Sequence, residues 1–251
     1  MPRWKLTIEY EGTGFFGWQR QAIEPSVQSV LEAAIERFAG HPVTLQAAGR
    51  TDAGVHAIGQ VAHVDLEKEY HDHEICNAIN FHARPHSVIV KSAISVSDEF
   101  NARFHAIKRY YKYKICNRKY PLAIGSNLAW HVYHHLDEIA MQQAALTLIG
   151  HHDFSSFRAA ECQAKSPLKS MDSITVTRIN DEITVDFSAP SFLHHQVRNI
   201  IGTLKKIGES TWPVSYMQDI LHAKDRSAAG PTAPPHGLYF MRVDYNDNGN
   251  K

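Results

Sequence analysis

Residues 26–65 read SVQSVLEAAIERFAGHPVTLQAAGRTDAGVHAIGQVAHVD, and the period of their apolar pattern changes from helical to strand-like. Val27, Val30, Leu31, Ala34, Ile35 and Phe38 recur at three- and four-residue spacing. That spacing predicts a helix with one apolar face, started by Ser26 and ended by Gly40. Residues 42–48 (PVTLQAA) and 59–65 (GQVAHVD) read as strands, joined by the loop GRTDAGVH. Upstream, residues 3–10 (RWKLTIEY) alternate apolar and polar, which predicts a strand. Downstream, 72–82 reads as a helix and 87–95 (SVIVKSAIS) as a strand. The order is β-α-β-β-α-β.

The remainder of the chain follows the same order. Residues 109–116 (RYYKYKIC) alternate as a strand, and 136–149 (LDEIAMQQAALTLI) form an amphipathic helix with Gly150 as its stop. Residues 172–179 (DSITVTRI) and 182–188 (EITVDFS) are strands joined by a tight Asn180-Asp181 turn. A helix over 192–208, a short one after Pro213 and a closing strand at 238–245 (LYFMRVDY) complete it. The expected class is α+β, with two ferredoxin-like β-α-β-β-α-β halves. Each half has a mainly antiparallel sheet with its helices on one face. Joined edge to edge, the two sheets would be continuous and leave a broad cleft on the other side. The expected halves are residues 1–105, with the Asp52 loop, and 106–251, with a Tyr-rich strand and the Arg198 helix. The polar tail NDNGNK (246–251) reads as unstructured.

Composition excludes some classes. The 26 Lys+Arg balance 26 Asp+Glu, so the chain lacks the overall basic charge typical of many nucleic-acid binders. The charge is uneven, however. Residues 100–120 hold Arg103, Lys108, Arg109, Lys112, Lys114, Arg118 and Lys119 with no acid among them. Such a strip suits phosphates, and it equally suits a solvated strand face. Cys76, Cys116 and Cys162 are far apart and form no CxxC pair, which fits a reducing compartment. The N-terminus lacks the apolar core of a signal peptide, and no stretch has membrane-spanning length, so a cytoplasmic location is expected.

Three segments carry possible chemistry. In Gly49-Arg50-Thr51-Asp52-Ala53-Gly54, two glycines let the backbone turn around Asp52. An arginine close by would keep the carboxylate ionised, ready to act as nucleophile or base. On the residues alone, a plain turn whose Asp caps an amide is the better reading. In Tyr110-Tyr111-Lys112-Tyr113-Lys114, alternation puts Tyr111 and Tyr113 on one face. Aromatic rings among cations suit unpaired bases and phosphates, and tyrosine is also a common core strand residue. Arg198 lies among Val197, Ile200, Ile201 and Leu204, where it needs a partner, either Asp52 or a local group. The histidines raise a metal reading: His151-His152-Asp153 contains the HD pair of metal phosphohydrolases, and His71, His73 and Glu74 cluster. Neither has HExxH spacing or cysteine partners.

Residues 49–63 (GRTDAGVHAIGQVAH) resemble the catalytic motif of the tRNA pseudouridine synthase A family. Further ordered matches are Tyr10-Glu11-Gly12, Phe16 to Gln21, Ser26-Val27-Gln28, Phe100 to Phe104, His151 to Arg158, His194 to Gly202 and Thr232 to Tyr239. The resemblance implies a homodimeric isomerase that uses no metal or cofactor. Its substrates would be uridines 38 to 40 of the tRNA anticodon stem-loop. It also implies that Asp52 is the catalytic carboxylate, that Tyr111 contacts the target base, that Arg198 pairs with Asp52 and that Arg50 assists base flipping. Asn101, where a His often stands, and Ala83-Arg84-Pro85, where Leu-Pro is usual, depart from the family pattern. The rival readings are a non-catalytic tRNA-binding protein on the same scaffold and a phosphohydrolase using His151, His152 and Asp153.

Overall fold

The computed structural model describes residues 1–246. Beyond residue 246, the tail read as unstructured lies outside the described residues. The elements in chain order are β1 (Arg3–Tyr10), α1 (Val27–Ala39), β2 (Gln46–Ala47), β3 (His56–Asp65), α2 (Asp72–His82) and β4 (Val88–Val96). There follow β5 (Ala106–Asn117), β6 (Trp130–Val132), α3 (Glu138–Leu146), β7 (Gly150–Asp153), β8 (Leu168–Met171) and β9 (Ser173–Ile179). The chain continues through β10 (Glu182–Ala189), α4 (Gln196–Gly208), α5 (Tyr216–Ala223) and β11 (Leu238–Tyr245). The architecture is α+β, and its strand pairs are mostly antiparallel. No helix among the described residues is long and apolar enough to cross a membrane. Two compact units emerge: Met1–Arg109 with Tyr239 onward, and Tyr110–Leu238.

In the first unit, β1 lies between β4 and β3 and is antiparallel to both, with Arg3 opposite Val96 on one side and Asp65 on the other. β2 adds to β3, giving the fourth-first-third-second strand order of a ferredoxin-like fold. The alternation in β1 is realised, since Trp4, Leu6, Ile8 and Tyr10 are all buried. α1 is capped as its residues dictate: the Ser26 hydroxyl accepts from the Ser29 amide, and Gly40 stops the helix at a left-handed φ of 81°. Leu31 and Ile35 on α1, and Ile75 and Ile79 on α2, are essentially inaccessible. Each such burial is worth about 1.5–3 kcal/mol. The last strand, β11, returns to this unit and runs parallel to β3, with Tyr239 opposite His56.

In the second unit the strand order is β5-β10-β9, with β6 added parallel to β5. β9 and β10 form the hairpin expected from Asn180-Asp181, and Asn180 takes the left-handed conformation that turn requires. β7 and β8 pair as a separate two-stranded sheet.

Several boundaries differ from the sequence reading. The strand expected over 42–48 shrinks to Gln46–Ala47. Here the Glu32 carboxylate accepts the Leu45 amide proton and draws the chain toward α1 instead of into the ladder. β3 starts at His56, three residues early. α3 ends at Leu146, where the Thr147 amide bonds back to Ala144 and Ala145. Gly150, read as that helix's stop, opens β7 instead, with φ at 112°. α4 starts at Gln196 rather than 192, because His195 just before it holds a left-handed φ of 61°.

Candidate active site

The loop that carries Asp52 is held at its start by β3, into which its other end runs at His56. The Ala48 amide donates to the Val61 carbonyl at 2.8 Å, and the wholly buried Gln60 amide donates to the Gly49 carbonyl at 2.8 Å. Thr51 is buried, and its hydroxyl meets that of Tyr10 at 2.7 Å. Burial pushes the Tyr10 phenol up to about 12, despite its hydrogen bonds to Thr51 and Gln60, so it is protonated at any physiological pH. Asp52 itself is half-buried and Arg50 is exposed.

The back of this loop rests on a second one, the glycine-rich turn after β1. The Trp18 amide donates to the Thr51 carbonyl at 3.0 Å, and the Gly54 amide donates to the Phe15 carbonyl at 3.3 Å. The Gly12 amide donates to His56 Nδ1 at 3.0 Å. Nδ1 is therefore an acceptor, and the neutral ring carries its proton on Nε2. The His56 ring also stacks on Tyr239, with centroids 4.7 Å apart. Gly12 and Gly17 permit this contact. A Cβ on Gly12 would run into the Val55 carbonyl, and one on Gly17, whose φ is +83°, would stand 2.7 Å from the Thr51 carbonyl. Two sequence-distant turns are thus stacked backbone to backbone beneath Asp52. The sequence marks Tyr10, Gly12 and Gly17 only as positions within the family resemblance and gives them no role at the site; their support of the Asp52 loop comes from the structure.

In the second unit, Tyr111 is half-buried on β5, and the Phe192 ring lies edge-on at 5.0 Å. Tyr113 is fully buried, and its hydroxyl donates to the Pro234 carbonyl at 2.7 Å. That burial raises its pKa well above the usual phenol range. Of the expected aromatic pair, then, Tyr113 serves the core. Arg198 sits in the first turn of α4 and donates through Nε to the Ala233 carbonyl at 2.8 Å. The Ala233 amide donates back to the Arg198 carbonyl at 3.1 Å. The segment Thr232-Ala233-Pro234 thereby sets both the Arg198 guanidinium and the Tyr113 ring.

The histidine clusters have local partners. His151 meets the Ser170 hydroxyl at 3.0 Å, and His152 meets the Ile149 carbonyl at 2.9 Å. Asp153 accepts from the amide and hydroxyl of Ser155. Glu74 accepts from the His71 amide at the start of α2, an ordinary helix cap. In the basic strip, Lys112 pairs with Asp186 at 3.4 Å, and Arg118 lies 3.9 Å from Asp181.

Comparison with known proteins gives the family. A family model described as tRNA pseudouridine synthase matches residues 6–105 and 144–246. The "tRNA pseudouridine synthase A" of Paramagnetospirillum magneticum is 53% identical over 251 residues, covering 100% of this chain and 98% of that one. Proteins of the same name from Afipia carboxidovorans and Parvibaculum lavamentivorans are each 52% identical over 245 residues, covering 98% of this chain and 100% of theirs. A chain from the crystal structure of a Cbf5-Nop10-Gar1 complex aligns with 96% of this chain at a TM-score of 0.41 and 11% identity, this chain spanning 50% of that one. With a matching family model and full-length relatives above half identity, the chain belongs to the tRNA pseudouridine synthase family.

Proposed function

We propose that Asp52 is the catalytic carboxylate of a synthase that isomerises uridines 38 to 40 in the anticodon stem-loop of tRNA. Membership of the family makes the chain an isomerase that converts uridine to pseudouridine in tRNA. The observation that carries the assignment of Asp52 is its setting. It is a half-buried carboxylate on a loop whose backbone is tied down by Trp18 and Gln60 and whose Thr51 hydroxyl is held by Tyr10, inside the family's motif.

The reaction breaks the uracil N1–C1′ and C5–H bonds and makes the C5–C1′ and N1–H bonds, the C5 proton leaving to solvent and N1 taking one up, so bonds broken and made are equal in number. One carboxylate is enough to start it, by attack on C1′, by attack on C6, or by removing a ribose proton in a glycal route. The target uridine must leave its stack, which costs a few kcal/mol. In this reading Tyr111 offsets that cost by contact with the flipped base, and Arg50 assists the flip. Arg198 serves as the counter-ion of Asp52. The enzyme acts as a cytoplasmic homodimer with no metal or cofactor.

The test is release of tritium from tRNA labelled at uridine C5. Asp52→Asn is expected to abolish release yet bind tRNA with affinity close to that of the wild type, because phosphate contacts lie elsewhere. Wild-type release by this variant refutes the role of Asp52. Wild-type protein that binds tRNA but releases no tritium would instead favour the non-catalytic reading. Mapping the modified positions tests the 38-to-40 assignment.

A further inference from the structure

Arg109 is the one cation of the basic strip whose guanidinium reaches three backbone carbonyls of the first unit in the described structure. It donates through Nη2 to the Ala48 carbonyl at 3.0 Å and to the Arg103 carbonyl at 2.7 Å, and through Nη1 to the Ala106 carbonyl at 3.0 Å. Ala48 is buried and immediately precedes Gly49-Arg50-Thr51-Asp52. Arg103 and Ala106 flank the end of the segment Asn101–His105. That segment is anchored from below as well. The Asn101 carboxamide oxygen accepts the amides of Arg103 and Phe104 at 3.0 Å each, and the Tyr245 hydroxyl donates to the Ala102 carbonyl at 2.7 Å. Its tip carries Phe104, 76% exposed, with the Arg103 guanidinium 5.6 Å from the ring centroid. One planar fork therefore ties the start of the Asp52 loop to a braced loop that displays an aromatic ring and a cation.

From this geometry we propose that Arg109 is a positioning residue for Asp52, and that it sets the Asp52 loop in register with the Arg103-Phe104 tip. The proposal rests on the reading of Asp52 as the catalytic carboxylate. A guanidinium presents five donors in a fixed plane and can serve diverging carbonyls, whereas an ammonium is a point charge on a flexible stem. Lysine at this position keeps the charge and loses the fork. Its effect is on geometry at the reacting atoms, where displacements of the order of 1 Å lower rates about a hundredfold. tRNA affinity, which is set by many phosphate contacts, is left nearly intact.

The experiment uses the full chain and unmodified tRNA. Arg109→Lys and Arg109→Ala are compared with wild type in single-turnover rate at saturating enzyme, in tRNA Kd at fixed salt, and in melting temperature. The expected result for Arg109→Lys is a rate at least tenfold down with Kd changed by less than about threefold. For Arg109→Ala, millimolar ethylguanidinium is expected to restore part of the rate, which ties the loss to the missing guanidinium. A wild-type single-turnover rate in Arg109→Lys overturns the proposal. So does a parallel loss of rate and affinity, or failure of both variants to fold, since Arg109 would then be a determinant of binding or of folding. An inactive wild-type protein would instead undo the underlying functional reading, so the two failures are told apart.

Discussion

Replacing Gly17 with alanine strikes the site without touching any group that meets the substrate, and its effect can be worked out atom by atom. Gly17 has φ +83°, where an L-residue costs about 1–2 kcal/mol. The new Cβ would stand 2.7 Å from the Thr51 carbonyl oxygen and 3.2 Å from Ala53 N and Asp52 C. Ordinary contact begins at 3.4 Å, so the peptide ahead of Asp52 must retreat by 3.4 − 2.7 = 0.7 Å. The Trp18 amide bond to that same carbonyl would be lost or stretched, about another 1 kcal/mol. The sum is about 2–3 kcal/mol, or about 4–12 °C in melting temperature for a chain of this size. A displacement of that order at a catalytic loop is expected to slow tritium release by about ten- to a hundredfold. Gly40 supplies the comparison. It has φ +81° and nothing within 4 Å of its added Cβ. Gly40→Ala therefore carries the backbone strain alone, about 1–2 kcal/mol, with an unchanged rate. Gly14, also open to 4 Å and without the positive φ, serves as a neutral control. Single-turnover kinetics and thermal melts on the three variants decide the matter. If Gly17→Ala keeps the wild-type rate, or is no less stable than Gly40→Ala, the idea that two stacked turns hold Asp52 in place is refuted.

Other outcomes follow from the same structure. Tyr10→Phe leaves the buried Thr51 hydroxyl without its 2.7 Å partner and should cost about 1–3 kcal/mol of stability in urea unfolding, with a modest loss of rate. Tyr111→Phe keeps the ring and its contact with Phe192, so it should retain substantial activity if stacking is the residue's role; complete loss in the tritium assay would instead assign the work to the hydroxyl. His63 is buried, and burial, aided by the Arg3 guanidinium, holds its pKa below the ordinary 6.5. The unfolded chain then takes up a proton near pH 6.5 that the folded chain resists, so this stability is present above 6.5 and is lost as pH falls below it. Wild type should therefore lose more melting temperature between pH 7.5 and 5.5 than His63→Gln, and equal losses would refute the assignment.

How much of this could be read in the sequence depends on how far apart the cooperating residues lie. α1 was legible almost to the residue, because its cap, its apolar stripe and its glycine stop all lie within fifteen positions. The hairpin at Asn180-Asp181 was legible for the same reason, and so was the placement of the Asp52 loop between two strands. β2 was overread because its brevity is caused by Glu32, thirteen residues upstream of Leu45. β6 and the β7–β8 pair escaped notice, since runs of three or four residues are too short to show a period.

The local grammar of strands, helices and turns, and with it the ferredoxin-like order, was determined by the sequence alone, because each rule acts between near neighbours. Only the tertiary structure decided what surrounds Asp52. The Gly12–Trp18 turn beneath it is about 35–40 residues away in sequence, and the Arg109 guanidinium bonds a carbonyl 61 residues away. β11 lies parallel to β3 across most of the chain. No periodicity encodes such contacts. They exist because chain folding brings distant backbone groups together, and once buried, those groups must find hydrogen-bond partners.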